Sequence, residues 1–171
     1  MSFTQDIHVR EVLKSKLVTL GDQQAGNPVN ERLYDLTGFT GYGFRTDNKV
    51  QIVQGESSVI PLLQGSSWVE FFIVKSPNNF VNRSRCGLIR KSYIFTIWVK
   101  TDSLEGVVFN EALSSLIEGH FKKNTHLPMP DGSVVTILDS YQQATITRDS
   151  ESGRHFNRVF IECENYYNNN N

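Results

Sequence analysis

The nine residues SYIFTIWVK, Ser92–Lys100, are the stretch that decides the fold of this chain. They are rich in β-branched and aromatic side chains, which favour an extended strand. Side chains alternate between the two faces of a strand, so one face is wholly apolar and the other is mixed. The apolar face carries Tyr93, Phe95, Ile97 and Val99, and the mixed face carries Ser92, Ile94, Thr96, Trp98 and Lys100. A strand of this kind needs neighbouring strands and a layer that covers its apolar face.

A second strand comes before it. Residues 68–75, WVEFFIVK, have the same composition and end at Ser76-Pro77-Asn78-Asn79, a run that stops strands. The segment between the two strands, residues 78–91, reads NNFVNRSRCGLIRK and is predicted to be a loop. Two strands joined in this way favour an antiparallel pair.

Two amphipathic segments predict the covering layer. Residues 5–20 and 107–121 both repeat apolar side chains at helical spacing. The stripe of the second helix is the clearer one and consists of Phe109, Ala112, Leu113, Leu116, Ile117 and Phe121. Because burying such side chains contributes roughly 1.5–3 kcal/mol each before entropy is subtracted, this helix is expected to lie on a sheet.

The last third of the chain returns to strand patterns. Residues 133–138 are predicted to form a strand after the Pro130-Asp131-Gly132 turn. Residues 143–148 and 158–165 are predicted to pair as a hairpin whose charged tip is DSESGR, residues 149–154. The fold class predicted from this order is α+β: one mixed, mainly antiparallel sheet packed by two helices in a single domain.

Two segments fall outside this regular pattern. Residues 21–66 hold seven of the twelve glycines and are predicted to be a long, irregular insertion with one short strand at Val50–Val53. The terminal asparagines, residues 168–171, are predicted to be a disordered tail.

Composition excludes several classes of protein. A net charge of −1 lacks the basic excess by which a nucleic-acid binder holds phosphates. No apolar run approaches the roughly 18–20 residues of a membrane span, and the first residues lack the apolar core of a signal peptide. Two cysteines cannot build a disulfide framework. These features predict an intracellular, near-neutral globular protein that is not associated with a membrane.

Catalytic and metal-binding motifs are missing from the sequence. GDQQAGNP has the glycine spacing of a phosphate-binding loop but no lysine, and no H-E-x-x-H, C-x-x-C or G-x-S-x-G occurs. His120 and His126 read as polar residues near a helix end, or alternatively as metal ligands. Cys86 and Cys163 read as inert thiols, with a nucleophile or redox pair as the alternative. No catalytic residue, cofactor or metal is therefore predicted, and the chain is expected not to be an enzyme.

Two charged segments are the candidates for contacts with other proteins. The first is the basic loop, with Arg83, Arg85, Arg90 and Lys91, and the second is the hairpin tip, with Asp149, Glu151 and Arg154. The four cations of the first segment could meet nucleic acid or an acidic protein face, or could be a solvated loop. The hairpin tip reads more often as a soluble loop, but its mixed charge is also what sets register between proteins. The aromatic residues needed to stack nucleic-acid bases are not interleaved with the cations.

The region from Asn82 onward resembles the tail terminator proteins of long, non-contractile-tailed bacteriophages of the lambda type. The resemblance lies in the order of a basic loop RSRCGLIRK, a strand YIFTIWVK, a helix VVFNEALSSLIEGHFKKNT, a strand GSVVTILDS and a closing hairpin that ends in VFIECENYY. The first helix and the strand at 68–75 fit the same plan, whereas residues 21–49 are longer than the family's usual link.

The resemblance implies a structural role in the virion. Such proteins form a ring, expected here to be a hexamer, at the head-proximal end of the tail after assembly in the host cytoplasm. The ring caps the tube of major tail protein, stops its polymerisation and offers a surface to the head-completion or connector protein. DNA passes through the lumen without specific binding. The alternatives are another head–tail connector, a tail-completion or tail-tube subunit or, from a different class, a small ligand-binding domain or enzyme.

Overall fold

The computed structural model describes residues 2–19, 34–35, 49–54, 67–75, 88–103 and 106–168. Two helices and eight strands lie within these ranges. In chain order they are α1 (Ser2–Thr19), β1 (Tyr34–Asp35), β2 (Lys49–Gln54), β3 (Ser67–Lys75), β4 (Leu88–Thr101), α2 (Gly106–His120), β5 (His126–Pro128), β6 (Val134–Gln142), β7 (Thr147–Arg148) and β8 (His155–Asn168).

The strands form one mixed sheet. Its order is β1-β2-β3-β4-β8-β6-β5, and β7 pairs with β8 beyond the end of β6. Only β2 and β3 run parallel among the described pairs, and all the others are antiparallel. The predicted α+β class, with a mainly antiparallel sheet and two helices, is confirmed.

The predicted alternation of the central strand is confirmed. In β4, Tyr93, Phe95, Ile97 and Val99 are all at most 2% exposed. β4 pairs along its whole length with β8, from Leu88 opposite Asn168 to Thr101 opposite His155. The buried residues of β8 continue the same face and are Asn157, Val159, Ile161, Cys163, Asn165 and Tyr167. This helix-covered side is called the inner face of the sheet below.

Helix α2 covers one half of the inner face. Phe109, Leu113, Ile117 and the following Phe121 are fully buried, as its apolar stripe predicts. The sequence pattern is wrong about Asn110 and Ser114, which were expected off the stripe but are also fully buried. The Asn110 side-chain amide donates to the carbonyl oxygens of Val99 and His155 and to the hydroxyl of Thr101. Its oxygen accepts from Ser114, so the helix is fixed to the ends of β4 and β8 by polar contacts.

Helix α1 covers the other half of the inner face through Val9, Leu13 and Leu17. Its first turns carry polar groups that reach the sheet. The Gln5 amide donates to Asn165 Oδ1 at 2.7 Å, and Asn165 donates in turn to the carbonyl oxygen of Val134. The two helices meet where His120 Nε2 lies 2.7 Å from the Lys16 carbonyl oxygen.

The predicted closing hairpin is confirmed only beside its tip, where Thr147–Arg148 pairs with His155 and Phe156. The strand that pairs with β8 is β6, from Val134 opposite Tyr166 to Gln142 opposite Val159, and only Thr147–Arg148 of the predicted 143–148 strand pairs with it. A bulge between Ile137 and Asp139 shifts the register of β6. Because a bulge breaks the two-residue alternation, the polar end of β6 reads in the sequence as a loop.

The two irregular segments lie mostly outside the described residues. The short strand predicted at Val50–Val53 is confirmed within β2, and Tyr34–Asp35 forms a further strand that the sequence analysis does not predict. Asn168, predicted to belong to the disordered tail, is instead part of β8 and pairs with Leu88. Residues 169–171 are not described.

Candidate protein-contact surface

The structure separates the predicted basic loop into two parts. Arg83 and Arg85 lie outside the described residues. Arg90 and Lys91 are not in a loop at all, because β4 begins at Leu88. The sequence places the loop end too late because the polar pair Arg90-Lys91 interrupts an otherwise apolar run. As neighbours in a strand, these two side chains point to opposite faces of the sheet.

Lys91 lies on the inner face and is only 7% exposed. Its ammonium is 3.2 Å from Asp6 Oδ1, and it lies over the Tyr167 ring at 5.6 Å from the centroid. Lys75 also pairs with Asp6. Lys91 thus holds α1 on the sheet. Its side chain has little exposed surface through which it could make the contact with another protein that was predicted for it.

Arg90 lies on the opposite side, which is called the outer face below. Its Nε donates to Glu164 Oε2 at 2.7 Å, and its guanidinium lies 6.0 Å from the centroid of the Tyr166 ring. Both Arg90 and Tyr166 are exposed, Tyr166 at 46%. Arg90 therefore remains available to a partner, and its predicted contact role stands as a prediction.

The three charged residues of the hairpin tip differ in role and exposure. Asp149 accepts hydrogen bonds from the backbone nitrogen and the hydroxyl of Ser152, and these bonds hold the pKa of its carboxyl below the ordinary value. Its own backbone nitrogen donates to the Arg154 carbonyl oxygen at 2.8 Å. Arg154 is half-buried and Glu151 is exposed. Of the three predicted contact residues, Glu151 is the one most open to a partner.

The described part of the outer face carries aromatic rings and charges, and both described helices lie on the inner face. At the end near Thr101, Trp98 lies between two cations: Arg158 Cζ is 3.8 Å and Lys100 Nζ is 5.4 Å from its ring centroid. Lys100 also lies 5.7 Å from the Phe156 centroid and pairs with Glu70 at 2.9 Å. Arg and Trp are the residues most enriched at the energetic centres of protein interfaces.

The neighbouring region of the outer face is acidic. The Tyr141 hydroxyl donates to Glu162 Oε1 at 2.9 Å, and the Tyr141 and Phe160 rings stack with centroids 5.4 Å apart. Asp139 lies directly opposite Glu162 in the register. Burial first, then the hydrogen bond to Glu162 and the two carboxylate charges, raise the pKa of Tyr141. Two carboxylates therefore lie next to an aromatic pair that is partly open to solvent.

An open groove of about 500 Å³ runs between α1 and β5. Val12, Leu127 and Pro128 contribute apolar surface, and His8 and Glu11 are among its polar lining residues. Among the described residues, no three His, Cys, Asp or Glu side chains gather so as to hold a metal ion. The groove therefore offers space for a small molecule, next to a mixed polar and apolar lining.

Cys163 has the environment of an inert thiol. It is 1% exposed on the inner face, and burial, with a smaller effect of the Glu164 charge, raises its pKa to about 12. A thiol with so high a pKa is a poor nucleophile at neutral pH. The prediction of a small buried hydrophobe is confirmed for Cys163, whereas Cys86 lies outside the described residues.

His120 and His126 make separate polar contacts near the end of α2 and beyond it. His120 Nε2 lies between the Lys16 carbonyl oxygen and the Thr19 hydroxyl, and burial lowers its pKa. His126 is exposed on β5 with Nδ1 3.1 Å from the Thr136 hydroxyl. The two rings have different partners, in accord with polar residues near a helix end.

Neither described helix combines the length and apolarity needed to cross a bilayer.

Comparison with known proteins informs the fold alone. No protein-family model and no curated protein matches the sequence. Solved structures do match, and one of them, whose designation describes no function, has a TM-score of 0.60 at 11% identity and covers 95% of each chain. The chain is therefore similar in fold to a known α+β structure over nearly its full length. At this identity the likeness carries no information about activity or partners.

Proposed function

We propose that this chain is a phage tail terminator, a structural subunit of a ring that caps the tail tube and offers a surface for head attachment. The observation that carries the proposal is the fold itself. An N-terminal helix, central antiparallel strands, a second helix and a closing hairpin follow in the order that the terminator family uses. The two helices lie on one face of the sheet, which leaves the other face for contacts between proteins.

A subunit with this role needs surfaces that bind other proteins, and the aromatic and charged residues of the outer face are of the kind that such surfaces use. A tail tube grows by head-to-tail stacking of rings and does not stop by itself. A terminator must match the last ring on one side and present a different surface on the other. That task requires shape, aromatic anchors and charge register rather than a catalytic site.

The proposed partners are other copies of the chain in a hexameric ring, the major tail tube protein and the head-completion or connector protein. DNA passes through the ring without being held specifically, as the net charge of −1 allows. The proposed location is the head-proximal end of the virion tail. The exposed Arg90 and Glu151 are the predicted contact residues best placed for these partners.

Tail assembly in the absence of this protein tests the proposal. Over-long tails in electron micrographs are expected, because nothing would stop tube growth, and tails of normal length would contradict the terminator role. In vitro, purified protein is expected to stop the growth of tubes of the major tail protein at substoichiometric amounts. Self-assembly of the pure chain into long tubes would instead identify a tube subunit.

A charge-reversal variant separates contact from folding. E151K is expected to leave the melting temperature unchanged, since surface substitutions usually change stability by less than about 0.5 kcal/mol, while weakening capping. E111K, at an exposed position of α2, carries the same charge change and is the matched control, which should cap normally. Equal capping by both variants would remove the hairpin tip from the proposed interface.

A further inference from the structure

Three charged side chains on the outer face have no ion-pair partner among the described residues: Arg158, Asp139 and Glu162. Two other cations of this face are compensated, since Lys100 pairs with Glu70 and Arg90 pairs with Glu164. Among the described side chains, the outer face therefore has a surplus positive charge at Arg158 and two surplus negative charges at Asp139 and Glu162.

The positive group is held in a defined orientation. The Arg158 guanidinium lies 3.8 Å from the centroid of the Trp98 ring, and its Nε is buried without a hydrogen-bond acceptor. A planar guanidinium stacked on an aromatic ring loses little further freedom when it binds a carboxylate. Arg158 is therefore oriented to meet a carboxylate, and the described residues place none in an ion pair with it.

The negative groups lie at a fixed spacing from it. Arg158 and Glu162 are four residues apart on the same face of β8, which is about 13 Å in an extended strand. Phe160 lies midway between them and stacks on Tyr141. If a second copy lies antiparallel over this face, each Arg158 comes opposite the other copy's Glu162 and Asp139, and the two Phe160 side chains come opposite each other.

We propose that two copies of this chain pair through their outer faces about a two-fold axis near Phe160, with Arg158 of each copy meeting Glu162 and Asp139 of the other. Both charged patches lie on one face, so a head-to-tail arrangement would require two neighbours to occupy the same space. A two-fold pair uses both patches at once. Sheet faces pack in this manner about 10 Å apart, with their side chains in contact.

Apolar area supports the same contact. Tyr166 and Tyr141 are 46% and 39% exposed on this face, and Val134 is 38% exposed. Pairing would remove these side chains and the Phe160–Tyr141 stack from water together with the two ion-pair clusters. The proposal does not rest on the proposed capping role, and it stands or falls independently of whether the chain caps a tail tube.

Sedimentation velocity of the full chain over a range of concentrations tests the charge pairing. Wild type is expected to associate in even-numbered species. R158E and E162R alone are each expected to weaken this association at least tenfold, because like charges then face each other. An equimolar mixture of R158E and E162R is expected to restore it, since opposite charges meet again at both clusters. K123E carries the same charge change as R158E away from the face and should associate as wild type does.

A cysteine placed at the axis tests the symmetry. F160C is expected to form a disulfide-linked dimer under mild oxidation, because residue 160 faces its own copy only in the two-fold arrangement. K123C and wild type, which retain Cys86 and Cys163, are the controls and should remain uncrosslinked. A wild-type chain that remains monomeric, association insensitive to R158E, or no restoration in a mixture of two variants that each keep the wild-type circular dichroism spectrum would overturn the proposal.

Discussion

The Asp6 carboxylate of α1 accepts a hydrogen bond of 2.8 Å from the Tyr93 hydroxyl of β4. The two residues are 87 positions apart, and their contact joins the first helix to the central strand of the sheet. Lys75 and Lys91 converge on the same carboxylate from β3 and β4. One side chain near the N-terminus therefore satisfies three polar groups of the sheet, two of which belong to largely buried residues.

Removing this charge should destabilise the fold. D6N removes the negative charge that faces the ammonium of the buried Lys91 and the Lys75 side chain, and we expect the free energy of unfolding to fall by about 1–3 kcal/mol. Urea denaturation measures the change. E11Q is the matched control, because Glu11 forms only an exposed pair with Lys14 at 3.9 Å and should change stability by less than about 0.5 kcal/mol. Equal effects of D6N and E11Q would contradict the role assigned to Asp6.

The free energy of unfolding should depend on pH in the acid range through the Asp6 carboxyl group. Burial by itself raises the pKa of Asp6, but hydrogen bonds from Lys75, Tyr93 and Lys91 outweigh it and hold the pKa below its ordinary value of 3.8. Because the folded pKa is the lower one, this stabilisation is present above the unfolded pKa and is lost as the pH falls through the folded pKa. Unfolding free energies measured from about pH 5 downward should therefore fall less steeply for D6N than for wild type. Parallel curves would show that Asp6 is not responsible.

Removing the buried side-chain amide of Asn110 should lower the free energy of unfolding about as much as removing a buried apolar contact. N110A removes the amide that donates to the carbonyl oxygens of Val99 and His155 at a fully buried position, and we expect a loss of about 1–3 kcal/mol. Chemical denaturation measures the loss. S115A, on the exposed side of α2, is the control and should change stability little. A neutral N110A variant would show that water replaces the amide.

The Cys163 thiol should resist alkylation in the folded protein. In a C86S background, iodoacetamide at mildly alkaline pH is expected to label no thiol in the native chain and one thiol after denaturation, because Cys163 is 1% exposed and burial raises its pKa. Intact-mass measurement counts the labels. Rapid native labelling would instead indicate that β8 opens locally.

Two glycines should respond to alanine in opposite ways. Gly153 has a φ of +70°, and an added Cβ would lie 3.2 Å from the Cβ of Ser103, so G153A should cost about 1–2 kcal/mol. Gly119 lies in α2, where an added Cβ would meet no atom within 4 Å, and G119A should stabilise by up to about 1 kcal/mol. Thermal denaturation compares the two variants. Stabilisation by both would mean that the hairpin turn relaxes.

The strongest sequence patterns predicted local structure well. The alternation in Ser92–Lys100 and the stripe of residues 107–121 identify the buried faces of β4 and α2, because period and polarity are properties of consecutive residues. The same reasoning failed for β6, where the bulge after Ile137 interrupts the alternation. It also failed for Asn110, whose burial depends on acceptors in β4 and at the start of β8 that the helix sequence does not contain.

The sequence by itself determined the fold class, the helix-covered face of the central strand and the inert character of Cys163. Only the tertiary structure decided which charges are available to a partner. Lys91 becomes an internal anchor because Asp6 reaches it. Arg158 comes to lie on Trp98, without an ion-pair partner among the described residues, because β8 lies beside β4 in one register. Such pairings join residues 60 or more positions apart. Their energies depend on distance and burial, which consecutive residues do not encode.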